Sequence, residues 1–219
     1  HFGSANALAA VGTNTEIIAL IVTVSSGLSI GANVLIAKHV GRNEAEKLPA
    51  AVQTAMRLAM CIGVIGLLLG QIAAAPLLRL IRTPEEIFDA AALYLRIYML
   101  GYPFLLLYDF GAAALRARGD RRYPFLALMI SGIANIGLNL LFVIVFRMGV
   151  AGVAIATDIS TALSALVVLH RLASDKMFQL SFRRPRFFLR IAWDILKTGI
   201  PSAVQGAVFC FANIFVQAS

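Results

Sequence analysis

Cysteine is almost absent: Cys61 and Cys210 are the only two among 219 residues, and each lies in an apolar run. Neither a disulfide framework nor a CxxC metal site is therefore available. Histidine is nearly as scarce, and His1, His39 and His170 form no ligand pair. Charge is thin as well. Charged residues make up 14% of the chain, where a soluble domain carries roughly a quarter. With 60% hydrophobic residues and a mean hydropathy of +0.85, the chain cannot cover itself with polar surface, which excludes an ordinary soluble domain. The net charge of +8 and pI near 10.1 would point to nucleic acid in a soluble protein. No motif of a nucleic-acid module is present, however, and the charge sits in loops between apolar runs, so no nucleic-acid partner is expected. The chain begins at His1 with no charged leader before its first apolar run and ends inside another at Ser219. It reads as a fragment of a longer protein.

What is abundant is apolar length. A bilayer core requires about 20 mainly apolar helical residues per crossing, because unpaired backbone groups are too costly in hydrocarbon. Six runs meet that length: Ile17–Ala37, Val52–Leu78, Ile87–Leu115, Tyr123–Phe146, Val150–Leu169 and Leu196–Ala218. The expected fold class is all-α, a polytopic membrane helical bundle of about six transmembrane helices, integral to the plasma (inner) membrane and in contact with its lipid.

The basic residues give the orientation. On the first, third and fifth connectors lie Lys38, Arg42 and Lys47; Arg116, Arg118, Arg121 and Arg122; and Arg171, Lys176, Arg183, Arg184, Arg186, Arg190 and Lys197. The second and fourth carry only Arg79, Arg82 and Arg147, while Arg57 and Arg96 lie inside runs near their ends. So uneven a division is a positive-inside signal that places the odd connectors in the cytoplasm. The fifth connector, His170 to Asp194, also repeats Phe187, Phe188, Ile191 and Ile195 at helical spacing among arginines and Trp193. That pattern suits a helix lying on the cytoplasmic membrane face, although a solvated basic loop fits the same residues.

Two motifs invite false readings. Gly27-Leu28-Ser29-Ile30-Gly31 matches the G-x-S-x-G nucleophile elbow, which requires a strand-to-helix turn, a histidine and an acid; Ser29 instead sits within an apolar helical run. No HExxH, paired-aspartate or usable serine motif supports an enzyme. The same glycines form G-x-x-x-G, as do Gly66 and Gly70, which permits close contact between helices in lipid.

Ionisable groups within spans mark cavities or pathways, because a charge at bilayer depth costs several kcal/mol. Asp109 and Asp158 are such groups, and Arg116, seven residues or about 10 Å from Asp109 along a helix, could pair with it. The richer constellation lies on the fourth and fifth runs. Asn135 and Asn139 are four residues apart on one helix face, with Ser131 a turn earlier. The short connector Arg147-Met148-Gly149 makes the two helices antiparallel neighbours. Asn139 lies seven residues before Phe146 and Thr157 seven after Val150, so both sit about 10 Å from the same helix ends. Two amides, a hydroxyl and the carboxylate of Asp158 could gather oxygen ligands at one level, or could simply hold the helix pair together.

At these residues the chain resembles the MATE (multidrug and toxic compound extrusion) family. Supporting segments run through nearly its whole length: Ala7 to Gly12, Gly27 to Ala32, Gly41-Arg42-Asn43-Glu44-Ala45-Glu46, Leu115-Arg116-Ala117-Arg118-Gly119-Asp120, Gly149 to Thr157, and Gly199-Ile200-Pro201-Ser202. Each is weak alone, and their order on the right helices and connectors makes them jointly specific. The resemblance implies twelve helices in two six-helix lobes around a cavity opened alternately to either membrane face. Residues 1–171 would form an N-terminal lobe lacking its first helix, 172–195 the cytoplasmic inter-lobe linker, and 196–219 the start of the C-terminal lobe, whose remainder would be a partner within the same polypeptide. It further implies no enzymatic activity and no cofactor, but export of a small-molecule substrate, an organic cation or apolar drug, in exchange for protons or sodium. Asn135, Asn139 and Thr157 match positions that in many members form a cation-coupling site, with Asp158 and Asp109 as secondary candidates. Asn139 departs from that pattern, because the family often has an aspartate there. The alternatives are a lipid-linked sugar flippase of the same superfamily, whose cavity would need more basic residues, and a non-transporting membrane-embedded protein.

Overall fold

The computed structural model describes residues 2–175, 178 and 188–218. Seven α-helices account for most of them: α1 (Phe2–Gly41), α2 (Leu48–Leu80), α3 (Glu85–Leu100), α4 (Tyr102–Ala117), α5 (Arg122–Asn139), α6 (Gly149–Ser174) and α7 (Leu189–Ala218). A single 3-10 turn, Ala45–Lys47, precedes α2, and α5 continues through a π-helical stretch, Leu140–Val145. No strand occurs among the described residues. The all-α membrane bundle expected from hydropathy is what forms. Four segments are long and apolar enough to cross a bilayer by themselves: Ala9–Gly41, Ala45–Leu80, Arg122–Val145 and Gly149–Ser174.

The third expected span, Ile87–Leu115, is not one straight helix. It divides into α3 and α4, which meet at 45° around Gly101 and together are long and apolar enough for a fifth crossing. The cause is local: Pro103, in the first turn of α4, has no N–H to continue the α3 hydrogen-bond ladder. The sixth run lies in α7, which starts seven residues earlier than Leu196. Leu189 to Ile195 are thus the first turns of a long helix rather than a separate surface element, with Trp193 exposed and Ile195 buried. Phe187, Arg184 and Arg186, which were expected to share that amphipathic pattern, lie outside the described residues.

Small residues set how closely the helices approach. A methyl group on Gly31 would stand 2.0 Å from the Ile195 carbonyl oxygen, and one on Gly27 would stand 2.5 Å from Ala203 Cα. From the other side, one on Gly199 would come within 2.6 Å of the Leu28 carbonyl oxygen. Helices α1 and α7 therefore touch backbone to backbone along a glycine seam, the close packing expected of G-x-x-x-G in lipid. At the α3–α4 break, Gly63 of α2 lies against the Pro103 backbone, while Gly66 and Gly70 leave room for the side chains of Tyr102 and Met99.

The connectors sort to two ends. At one, His39 of α1 meets Glu44 at 2.6 Å, Arg171 of α6 meets Asp120 at 3.3 Å, and Arg118 pairs with Asp175. The hydrogen bond from His39, reinforced by Lys47, holds the Glu44 carboxyl below the usual carboxylate range. Phe188 N–H reaches Thr54 Oγ1 there, at 3.4 Å. At the other end, Leu78, Ile87, Ala10 and Val150 share an apolar cluster beneath the second and fourth connectors.

Candidate functional site

A polar ladder crosses the α5–α6 contact. Ser131 Oγ donates to the Ser160 carbonyl at 2.7 Å, Asn135 Nδ2 to Ser160 Oγ at 3.0 Å, and Asn139 Nδ2 to Asn135 Oδ1 at 2.9 Å. The spacing of three α5 side chains on one stripe produces this alignment, and the turn at Arg147 and Gly149, with φ of 54° and 56°, folds α6 back against them. Ser160 Oγ in turn donates to the Ala156 carbonyl and, at 3.1 Å, to that of Thr157. At the top of the ladder Asn139 Oδ1 is shielded from solvent and has no hydrogen-bond partner. A buried amide oxygen without a donor costs on the order of 1–3 kcal/mol, so natural proteins rarely leave one without reason.

The sequence pattern places Asn135 and Asn139 together, and the ladder joins them; Thr157 makes no hydrogen bond to α5 among the described residues, and Asp158 lies elsewhere. Thr157 Oγ1 bonds back to its own helix, to the Val153 carbonyl at 2.9 Å. Asp158 turns away from the ladder toward the α3–α4 break, where its carboxylate lies against Gly101. The adjacent positions Thr157 and Asp158 project about 100° apart around α6, so they cannot both face α5. Ser160, which joins both amides to α6, escaped notice in the sequence because a lone serine in an apolar helix is unremarkable. Its position one turn after Thr157 was the available signal.

Asp109 is buried in α4. Its Oδ2 is shielded from solvent and has no hydrogen-bond partner. The suggested contact with Arg116 does not form, since no ion pair of Asp109 occurs among the described residues. Nearby, Ser25 and the Tyr102 hydroxyl lie 3.3 Å apart and Asn33 Nδ2 donates to the Ala113 carbonyl at 2.9 Å, so polar side chains line the α1–α4 contact. Ser29 is buried within α1 and donates to the Ser26 carbonyl at 2.7 Å, which removes it from any hydrolase reading.

Similarity to known proteins agrees with this architecture. The probable multidrug resistance protein YoeA of Bacillus subtilis is 29% identical over 222 residues, covering 96% of this chain and 47% of that protein. A FAD transporter of Shewanella oneidensis is 25% identical over 97% of this chain and 48% of its own length. A crystal structure of a MATE transporter in its bent conformation superposes with a TM-score of 0.90 at 26% identity, covering 97% of this chain and 48% of that one. The chain thus spans about half the length of the relatives it matches. The MatE family model matches residues 1–141; the chain belongs to that family, whose members are membrane transporters and not enzymes.

Proposed function

We propose that the chain supplies the N-terminal lobe, and the first helix of the next, of an exporter that expels drugs or small organic metabolites in exchange for protons or sodium. Residues 1–171 form that lobe in this reading, 172–195 the linker and 196–219 the opening of the C-terminal lobe. The observation that carries it is the α5–α6 ladder: two amides and a serine stacked at membrane depth, ending in the unpaired Asn139 Oδ1. An interhelical clamp has no need of an unsatisfied oxygen, whereas a passing cation does. With an amide at 139, a sodium ion would be held by neutral oxygens alone, and a proton cannot be carried at this position. The basic residues cluster at connectors instead of lining the spans, which favours a cationic or apolar substrate over a pyrophosphate-linked lipid.

The test is efflux from proteoliposomes carrying the full-length transporter, driven by a sodium or a proton gradient, for the parent, Asn139→Leu, Asn139→Asp and Thr157→Val. Asn139→Leu should lower gradient-driven efflux by about tenfold or more, equivalent to about 1.4 kcal/mol of cation binding. Asn139→Asp introduces a group that gains and loses a proton, so efflux should become more dependent on pH. Thr157→Val should fall less than Asn139→Leu, because its hydroxyl is already spent on its own helix. Activities that follow thermal stability across all four proteins would make the ladder structural and remove this reading of the site.

A further inference from the structure

At the end of the α1–α7 seam that adjoins the first and fifth connectors, the two helices leave a cleft of about 560 Å³. Val34 and Lys38 line it from α1, and Asp194, Lys197 and Pro201 from α7. Gly31 lies against Ile195 and Gly199, Gly27 against Ala203, and Gly206 against Thr23, so the helices run antiparallel. Lys197 is thus level with Gly31, while Lys38 is seven residues, or about 10 Å, nearer the connectors. Side chains on a helix tilt toward its N-terminus. Lys38 therefore leans into the depth of the bundle and Lys197 leans out toward the connectors, and their stems approach one another across the cleft.

Neither lysine is neutralised by a carboxylate. Among the described residues no ion pair of Lys38, Lys197 or Asp194 occurs, although Asp194 lies one turn before Lys197 on the same helix. Two lysines less one aspartate leave the cleft with a net charge of +1. Each lysine also heads an exposed apolar stripe that runs away from the connectors into the span. On α1 it is Lys38, Val34 and Ile30, at steps of four; on α7 it is Lys197, Pro201, Val204 and Val208, at steps of four and three. Such spacing keeps each set on one helix face. Trp193, beside Asp194, is exposed at the same level, and tryptophan favours the boundary between headgroups and hydrocarbon. Positive charge above an apolar track matches the two-part chemistry of an anionic phospholipid.

We propose that this cleft binds an anionic phospholipid of the cytoplasmic leaflet, of the phosphatidylglycerol type. Its phosphodiester sits between the ammonium groups of Lys38 and Lys197, a headgroup hydroxyl donates to the Asp194 carboxylate, and an acyl chain lies along the two stripes. A headgroup of charge −1 neutralises the cleft. A choline headgroup fits less well, because its trimethylammonium adds positive charge and has no N–H to offer Asp194. Lysine suits the task, since it meets phosphate as a point charge on a flexible stem. Basic pockets between transmembrane helices on the cytoplasmic side take such headgroups, and the positive-inside division of the connectors puts this end of the bundle on that side. A lipid held there bridges α1 and α7. The proposal rests on the membrane bundle and not on the exporter reading, and its binding is measured without any gradient.

The experiment uses Trp193, the one tryptophan of this chain, as the sole tryptophan of the full-length protein. The protein is reconstituted in phosphatidylcholine vesicles with increasing fractions of phosphatidylglycerol, one or the other lipid carrying bromine on its acyl chains. Bromine quenches indole fluorescence at short range, so the two quenching curves give the relative binding constant of the lipids beside the cleft. The parent should prefer phosphatidylglycerol. Lys38→Gln and Lys197→Gln should each lower that preference by about fivefold, the effect of one basic residue near an anionic surface, and the double variant should abolish it. Lys38→Arg with Lys197→Arg keeps the charge and should retain the preference, which separates loss of the site from misfolding. Arg121→Gln with Arg122→Gln removes two exposed charges from the α4–α5 connector and should change nothing. A parent without preference, or a preference that survives the double Lys→Gln change, overturns the proposal. So does an equal loss in the Arg121 and Arg122 variant, which would mean diffuse attraction to the surface. Displacement of the lipid by inorganic phosphate would assign the cleft to a soluble anion and also overturn it.

Discussion

Ser160 holds the α5–α6 contact at two points, its carbonyl accepting from Ser131 and its hydroxyl from Asn135, while that hydroxyl donates back into α6. Replacing it with alanine leaves the Asn135 amide without its partner across the interface. Interhelical hydrogen bonds in lipid average about 0.6 kcal/mol and reach about 1.7, so Ser160→Ala should cost about 1 kcal/mol, read as a lowered midpoint of thermal unfolding in detergent. Ser131→Ala removes one bond and leaves no amide stranded, and should cost less. A Ser160→Ala protein as stable as its parent would show that the ladder adds nothing to folding. The stripe Ser131, Asn135, Asn139 was legible in the sequence because four-residue spacing fixes a helix face whatever the partner. The direction of Asp158 was not, since it depends on which helix lies against each side of α6, and that follows from the break at Gly101.

Among the elements, glycine divides into two kinds. Gly31 and Gly27 face α7 at backbone contact, whereas Gly132 and Gly137 on α5 have nothing within 4 Å of an added methyl. Overpacking a tight contact costs about 1–3 kcal/mol, and here the obstacle is backbone, which cannot swing aside as a side chain does. Gly31→Ala should therefore destabilise the bundle by about 2 kcal/mol or more and loosen α7 from α1, detected as faster proteolysis near Leu189. By contrast, Gly132→Ala should be neutral or stabilise by about 0.5–1 kcal/mol, because alanine loses less backbone freedom in a helix. Similar effects at both positions would contradict the seam. The glycine spacing announced close contact, but not the partner. The division of Ile87–Leu115 into α3 and α4 was hidden for a related reason: Gly101 and Pro103 barely interrupt hydropathy, while their backbone chemistry governs the path of the chain.

Across the whole molecule, the alternation of the crossings brings the first, third and fifth connectors to one end of the bundle. The ion pairs His39–Glu44, Arg171–Asp120 and Arg118–Asp175 lie at that end, as does the contact of Phe188 with Thr54. The geometry relates the connectors to one another, and the basic residues supply the direction, because positively charged loops are retained on the cytoplasmic side. Single cysteines at Asn43 and Arg121, in a full-length protein lacking Cys61 and Cys210, should consequently be protected from an impermeant maleimide in intact cells and become reactive when the membrane is opened. Glu85 and Met148, at the ends of the second and fourth connectors, should label from outside without permeabilisation. All four positions are exposed and outside the ion pairs above, so protection reports the membrane and not burial. The reverse pattern would invert the molecule in its bilayer and, with it, the direction of transport in the proposed exporter. Labelling at both ends from outside would be the more serious result, because the alternation of crossings that places α5 beside α6 and α4 against Asp158 would no longer hold.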